Sequence, residues 1–262
     1  MIFTKKEIKH LIISILLVTL AFAFDDKQPT FILSHWVFNY IRIALIVTSS
    51  FLVYQLTQKL VAHYHCTKTE YHLWNIKRYW FHPSCVLPLK GRHLPMHGNW
   101  AQKSMYNIKS IFIGPILLFL VSFFSMGRLF FVAVGYTNLI EKLPLRAEKR
   151  WMRLQGYEKA QIAIAGPFAT LLLALILKSI NPNLTTAIFI NQMFSVFNMI
   201  PFSKLDGARV LFGSIPFYFF SLVLIILTIL LMNFLSSLQS LIIALIFALI
   251  ILVYIMIKLW SQ

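Results

Sequence analysis

Long apolar stretches alternate with short polar or basic segments along the whole chain of 262 residues. Six stretches are long enough to cross the hydrocarbon core of a bilayer, which takes about 20 helical residues at a rise of about 1.5 Å each. The predicted spans are residues 8–24, 38–64, 160–178, 184–203, 216–233 and 238–258. The pattern predicts an all-α polytopic integral membrane protein, with residues 1–262 forming a single membrane-embedded domain.

A seventh apolar stretch, residues 110–138, is interrupted by Gly114-Pro115 and again by Met126-Gly127-Arg128. If it crossed the membrane once, the basic segments 65–109 and 141–159 would lie on opposite sides, against the positive-inside rule. We therefore predict a re-entrant hairpin that turns at the second interruption. Non-helical backbone at membrane depth must be covered by protein or line a wet cavity.

Composition and charge agree with a membrane protein. The chain is 59% hydrophobic and 12% charged, whereas soluble domains carry about 25% charged residues. The net charge is +16, but most Lys and Arg lie in segments 65–109 and 141–159. This placement indicates cytoplasmic loops with affinity for anionic lipid rather than a nucleic-acid partner. We expect a prokaryotic cytoplasmic membrane, with both termini in the cytoplasm.

The first apolar run follows Lys5, Lys6 and Lys9 and resembles a signal peptide, with a weak cleavage pattern at Ala21–Phe24. We favour an uncleaved first helix, because the rest of the chain is also predicted to be embedded in the membrane.

Residues 198–207 read Asn-Met-Ile-Pro-Phe-Ser-Lys-Leu-Asp-Gly. This Asn-x-x-Pro-x-x-x-Leu-Asp-Gly run resembles the second metal-ligand motif of the site-2 protease family, the intramembrane zinc metalloproteases. Further similar segments follow the family's order along the chain: residues 51–62, 66–71, 114–136 and 165–170. In the last of these, an Ala-Gly-Pro helix start, Thr170 stands where the family commonly has Asn. Segment 72–108 has no counterpart.

The resemblance implies a family zinc site that this chain has largely lost. In the family, the Asp completes a site begun by a His-Glu-x-x-His helix, where two imidazoles and a carboxylate leave one position for water. Here the corresponding text is Tyr54-Gln55-Leu56-Thr57-Gln58. Phenol and carboxamide are poor zinc ligands, and Gln55 cannot act as a base. Asp206 is then a vestigial ligand position, and we expect no zinc there and no catalytic residues.

The resemblance also implies a core and a groove. The expected core helices are residues 38–64, 160–178 and 184–207. The expected substrate-groove residues are Gly166, Pro167, Thr170, Asn198 and Pro201.

Each of these polar residues also has a purely structural interpretation. Tyr54, Gln55 and Gln58 could simply hydrogen-bond across a helix bundle. Asp206 could cap a turn, or it could contact Gln55 or Gln58. For Asn198 and Pro201 we favour structural roles, because Pro ends or kinks a helix and an amide can satisfy freed backbone groups.

A second metal site is conceivable in the first basic loop. It would use His or Cys residues among His63, His65, Cys66, His72, His82, Cys85, His93 and His97. The spacings match no zinc-finger pattern. The loop is predicted to face the cytoplasm, so a disulfide between its two cysteines is not expected. Ser195 and Ser203 lack the Lys or His that would activate a serine nucleophile.

Three functions follow, in order of preference. The first is a catalytically inactive site-2-protease-like protein that binds membrane proteins or transmembrane peptides, with the 110–138 hairpin pairing with an unwound strand. The second is an active metallopeptidase whose zinc is held by Asp206 with His63 or His65. The third is a transport or regulatory protein with a polar pathway for an ion or small solute, lined by Gln55, Gln58, Arg128 and Asp206. One acid and no internal repeat support this third function poorly.

Overall fold

The computed structural model describes residues 3–24, 32–75, 112–125, 130–141, 154–202 and 204–260. These residues are mostly helical, with two short strands. The helices are α1 Lys5–Ala23, α2 Leu33–Tyr64, α3 Ile113–Phe124, α4 Gly156–Ile180, α5 Thr185–Asn198, α6 Asp206–Gly213, α7 Ile215–Met232 and α8 Ser237–Trp260. The strands are β1 Thr67–Leu73 and β2 Gly135–Glu141.

Within the described residues, four helices are long and apolar enough to cross a membrane: α2, α4, α7 and α8. This agrees with an integral membrane protein. The other two of the six predicted spans are not among these four helices. Helix α1 begins with Lys5, Lys6, Glu7 and Lys9, which lower its hydropathy. Helix α5 has only 14 residues.

Helix α4 lies at the centre of the bundle and packs against α2, α5 and α6. Its buried face includes Ala160, Ala163 and Ala174, all less than 2% exposed. Small side chains such as these let neighbouring backbones approach closely. Helices α7 and α8 form an antiparallel pair at one side, and the outer face of α8 is broadly exposed and apolar.

The described residues are predominantly helical, as expected, and two short strands form a small sheet beside the helices. They pair antiparallel, with Thr67 opposite Glu141 and Leu73 opposite Gly135. Strand β1 lies within the predicted basic loop 65–109 and overlaps segment 66–71, one of the segments that resemble the family. Strand β2 begins near the end of segment 110–138 and extends to Glu141, and the sequence did not predict it as a strand. Pairing between residues distant in sequence depends on tertiary contacts that a local pattern does not report.

The predicted core helix 184–207 is not one helix. Helix α5 ends at Asn198, and a new helix begins at Asp206. Pro201 lacks a backbone N–H and restricts the residue before it, so the helix cannot continue through this point. Gly207 lies directly against the Met199 carbonyl, where a Cβ would fall 2.1 Å from the oxygen. The resulting turn brings the start of α6 back towards α2.

Segment 110–138 has two limbs that lie side by side. Helix α3 has 12 residues and is therefore about 18 Å long, too short to cross a bilayer. The Gly114 amide donates to Trp74 at 3.2 Å, and Trp74 in turn donates to Val134 at 2.9 Å. The predicted turn at 126–128 lies outside the described residues, and membrane re-entry stays a prediction.

Candidate functional site

The carboxylate of Asp206 is buried, at 3% exposure, and receives two hydrogen bonds from α2. The Tyr54 hydroxyl donates to Oδ2, and the Gln58 amide donates to the same oxygen at 2.7 Å. Tyr54 and Gln58 are four residues apart, so their side chains lie on one helix face. The three positions that the resemblance assigned to zinc ligands are therefore in direct contact. We call Tyr54, Gln58 and Asp206 the polar triad.

Gln58 connects four elements of the fold. Besides its bond to Asp206, its amide nitrogen donates to the Ala163 carbonyl on α4 at 3.2 Å. Its oxygen accepts from the Thr137 hydroxyl on β2 at 2.6 Å. The Ala163 carbonyl needs this donor, because its helical partner would be the N–H of residue 167, which is a proline. The amide thus replaces the backbone bond that Pro167 removes.

Gly166 makes room for the Tyr54 ring. A Cβ at this position would lie 2.5 Å from the outer carbon of the ring. The neighbouring Pro167 carbonyl accepts from Thr170 at 3.0 Å and from Ser195 at 2.9 Å. The Thr170 bond lies within α4, beside the proline, and the Ser195 bond connects α5 to α4. Gly166, Pro167 and Thr170, which the resemblance assigned to a substrate groove, are buried within the described helices.

Arg209 is a cation in contact with the triad. Its guanidinium lies 3.5 Å from Oδ1 of Asp206, one helical turn along α6. Burial raises the pKa of the Asp206 carboxyl, while Arg209 and the two donors from α2 oppose that shift. Asp206 does not act as a side-chain cap for α6, so of the two roles considered for it the structure favours the interhelical contact, with Gln58.

Gln55 contrasts with its neighbours in the triad. It is 1% exposed, yet both polar atoms of its amide lack a hydrogen-bond partner among the described residues. Leaving such groups unpaired costs about 1–3 kcal/mol each. A small cavity lies beside it, lined also by Asp206, Asn198, Thr137 and Phe51. The space for water centres is about 10 Å³, enough for roughly one water-sized group.

The remaining predicted residues are dispersed. The Asn198 amide donates to the Phe194 carbonyl in its own helix at 2.9 Å. His63 is exposed, and His65 is buried with its ring 3.7 Å from Glu158. Five predicted positions lie outside the described residues: His82, Cys85, His93, His97 and Ser203. The same holds for Arg128. Over the described ranges, no group of three His, Cys, Asp or Glu side chains is placed to hold a metal.

The chemistry of the donor set does not fit zinc. Tyr54 and Gln58 present hydrogens to the carboxylate, whereas a zinc ligand must present a lone pair to the metal. Both donors already occupy Asp206 Oδ2. As arranged, the triad cross-links helices and holds a carboxylate in the interior.

A second polar cluster was not predicted from the sequence. Glu7 on α1 is buried, forms an ion pair with Lys59 at 2.8 Å and accepts from the Tyr71 amide at 3.1 Å. Lys59 also donates to the Thr69 carbonyl at 2.9 Å. The one available signal was an acid within the basic start of the chain. The cluster lies along the outer edge of β1, where the bond between Glu7 and Tyr71 connects α1 to the sheet.

The outer edge of β2 borders a wide cleft. The backbone groups of Thr69 and Tyr71 that bind Lys59 and Glu7 point away from β2. In an antiparallel ladder, residues paired in this way both turn their backbone groups outward. The partners on β2, Leu139 and Thr137, therefore direct their backbone groups to the outer edge of β2. The cleft beyond offers about 460 Å³ and is lined by β2 together with the start of α4 and with α6. Phe212, which is 85% exposed, lies at its rim.

Comparisons with protein-family models, with curated proteins and with solved structures found no match for this chain.

Proposed function

We propose that this protein has a site-2-protease-like membrane core in which a hydrogen-bonded triad replaces the zinc centre. On this proposal it binds hydrophobic or transmembrane polypeptide segments without hydrolysing them. The observation that carries the proposal is the contact of Tyr54 and Gln58 with Asp206.

This contact supports the proposal because the resemblance paired these positions from sequence text alone. Gln58 and Asp206 are 148 residues apart in the chain. Two residues of α2 spaced like the family's histidines meet the Asp of the Leu-Asp-Gly run, as ligands of one metal would. Their side chains are of the wrong type for zinc, but both donate hydrogen bonds to the same carboxylate oxygen.

The cleft beside β2 supports the binding part of the proposal. An extended segment can add to an exposed strand edge through main-chain hydrogen bonds, while nearby pockets accept its side chains. Leu139 offers backbone groups at this edge, and Phe212 supplies an exposed apolar contact. Lys159, also in the lining, adds positive charge at the start of α4.

The chemical part can be tested by restoring the ligands. The triple variant Tyr54→His, Gln55→Glu, Gln58→His should bind about one zinc per chain in detergent, because three suitable ligands would then converge with an open fourth position. The same triple variant with Asp206→Ala should lose the metal. A folded triple variant that binds no zinc would contradict the proposed correspondence of the two sites.

The unmodified protein distinguishes the active-peptidase alternative. We expect no zinc that depends on Asp206 and no peptide hydrolysis. Zinc that is present in the wild type and lost in Asp206→Ala, together with cleavage, would favour the alternative.

The binding part can be tested by photo-crosslinking. A photoreactive amino acid at Phe212 should capture a synthetic 20-residue Leu/Ala transmembrane peptide whose helix is interrupted by a central Gly-Gly, which frees backbone groups for pairing. The same amino acid at Phe247, an exposed position on α8, is the control. Leu139→Pro removes an outward N–H and should reduce capture at Phe212. Equal capture at both positions, unaffected by the proline, would contradict binding at this cleft.

A further inference from the structure

Two buried side chains next to each other in the bundle, Gln55 and Asp206, carry polar atoms with no hydrogen bond to any residue that the structure describes. Gln55 is 1% exposed, and this applies to both polar atoms of its amide. In Asp206 it applies to Oδ1, whereas Oδ2 accepts two hydrogen bonds. The Arg209 guanidinium lies 3.5 Å from Oδ1, beyond the usual N–H···O distance of about 2.7–3.2 Å. Buried polar groups are nearly always bonded to protein or to ordered water, so these atoms indicate a further bonding partner.

One small cavity is lined by both Gln55 and Asp206. It has about 10 Å³ of room for water centres, and one buried water needs about 10–15 Å³ by this measure. The rest of its lining comes from α2, α5, β1 and the limb that leads into β2, and the polar residues among it are Tyr54, Tyr71, Tyr136, Thr137 and Asn198. The cavity therefore has the size and the polar lining that a single buried water requires.

We infer that one water molecule occupies this cavity and joins Gln55 on α2 to Asp206 on α6. The water accepts from the Gln55 amide nitrogen and donates to Oδ1 of Asp206. Its second hydrogen is available to another oxygen of the lining. The polar triad is then part of a hydrated centre in which both oxygens of the carboxylate are bonded. This site lies apart from the cleft beside β2, and the inference does not depend on polypeptide binding.

The chemistry of the lining favours water over a metal cation of similar size. A cation would contact the oxygens of Gln55 and Asp206, but it would leave the Gln55 nitrogen unpaired, because an N–H donor cannot bind a cation. Arg209 already places a positive charge 3.5 Å from Oδ1 of Asp206, and this charge repels a second cation. Water both accepts and donates, and a buried water typically makes about three hydrogen bonds.

The direct test is an experimental structure of the wild-type protein at a resolution that shows ordered waters. We expect one density peak about 2.7–3.2 Å from both the Gln55 amide and Oδ1 of Asp206. A cavity without such a peak would overturn the inference, as would a Gln55 amide bonded directly to Asp206. This test needs no variant, so it decides the question even if the substitutions below prevent folding.

Thermal melts in detergent give an independent test. Gln55→Met keeps a similar side-chain volume and removes the amide. Because Asp206 would lose its water-mediated partner, we expect a Tm about 2–8 °C lower. Gln161→Met is the matched control on α4, where the side chain is only partly buried, and its Tm should equal that of the wild type. An equal or higher Tm for Gln55→Met would overturn the inference, because it would mean that the amide contributes no bond to the folded state.

Melts in sodium chloride, potassium chloride and choline chloride of equal ionic strength distinguish water from a cation. A cation that binds the folded state raises the Tm as its concentration increases. Water is present in all three salts, so we expect the same Tm in each. A Tm that rises with sodium or potassium in the wild type, but not in Gln55→Met, would overturn the inference in favour of a cation site.

Discussion

Replacing Gly166 with alanine tests how tightly the polar triad is held. An added Cβ would lie 2.5, 2.6 and 2.7 Å from three outer atoms of the Tyr54 ring, all well inside contact distance. The ring cannot move freely, because its hydroxyl donates to the buried Asp206. Overpacking of this kind costs about 1–3 kcal/mol, and loss of a bond to a charged acceptor adds about 1.5–3 kcal/mol. Alanine recovers about 1 kcal/mol of helix propensity, so we expect a net loss of about 1.5–5 kcal/mol in the free energy of unfolding.

The sign of the effect should reverse when the ring is removed. Tyr54→Leu lacks the outer ring atoms that alanine would meet. In that background Gly166→Ala should be neutral, or stabilise by up to about 1 kcal/mol through helix propensity. The coupling between the two changes would then be about 1.5–6 kcal/mol, at or above the upper end of what double-mutant cycles usually give. Gly156→Ala is the matched control in the same helix, because its Cβ would meet nothing closer than 3.2 Å.

The assay is unfolding by SDS titration in mixed micelles, followed by tryptophan fluorescence, for all single and double variants. The reasoning would be refuted if Gly166→Ala destabilised both backgrounds equally. That result would mean that Tyr54 does not pack on Gly166 and that the triad is assembled differently.

Three further changes probe other contacts, with unfolding in detergent as the measurement. Gln58→Leu should lower the free energy of unfolding by about 2–4 kcal/mol, since it removes one of the two donors to Asp206 and leaves the Ala163 carbonyl and the Thr137 hydroxyl without this partner. An unchanged stability would show that these bonds contribute nothing net. Glu7→Gln should lower the free energy of unfolding by about 3 kcal/mol, because the mostly buried Lys59 would lose its countercharge. The loss should be smaller when Lys59 is also replaced by methionine. Equal losses in both backgrounds would contradict a coupled pair. Gly207→Ala should lower the free energy of unfolding by at least about 1–3 kcal/mol, because the added Cβ would lie 2.1 Å from the Met199 carbonyl oxygen, which cannot move aside as a side chain can. A neutral result would mean that the backbone before α6 is not packed this closely.

Several features could be predicted from the sequence because they depend on local pattern. Apolar runs located α2, α4, α7 and α8 to within about five residues at each end, since a helix in lipid must satisfy its own backbone and expose apolar side chains. The helix end near Pro201 followed from the missing N–H of proline. Pro167 could also have been used, because a proline inside a helix leaves a free carbonyl four residues earlier.

The rest depended on contacts between distant residues. The polarity of Gln58 could be read directly, but its bond to Thr137 exists only because β2 packs over α2. The pairing of β1 with β2 joins segments more than 60 residues apart, and no local periodicity records such a partner. Asp206 illustrates the division most clearly. The sequence by itself determined that one acid follows an interrupted apolar segment, since composition and proline chemistry act locally. Only the tertiary structure decided that this acid faces Tyr54 and Gln58, because its burial is tolerable only where donors from another helix converge on it.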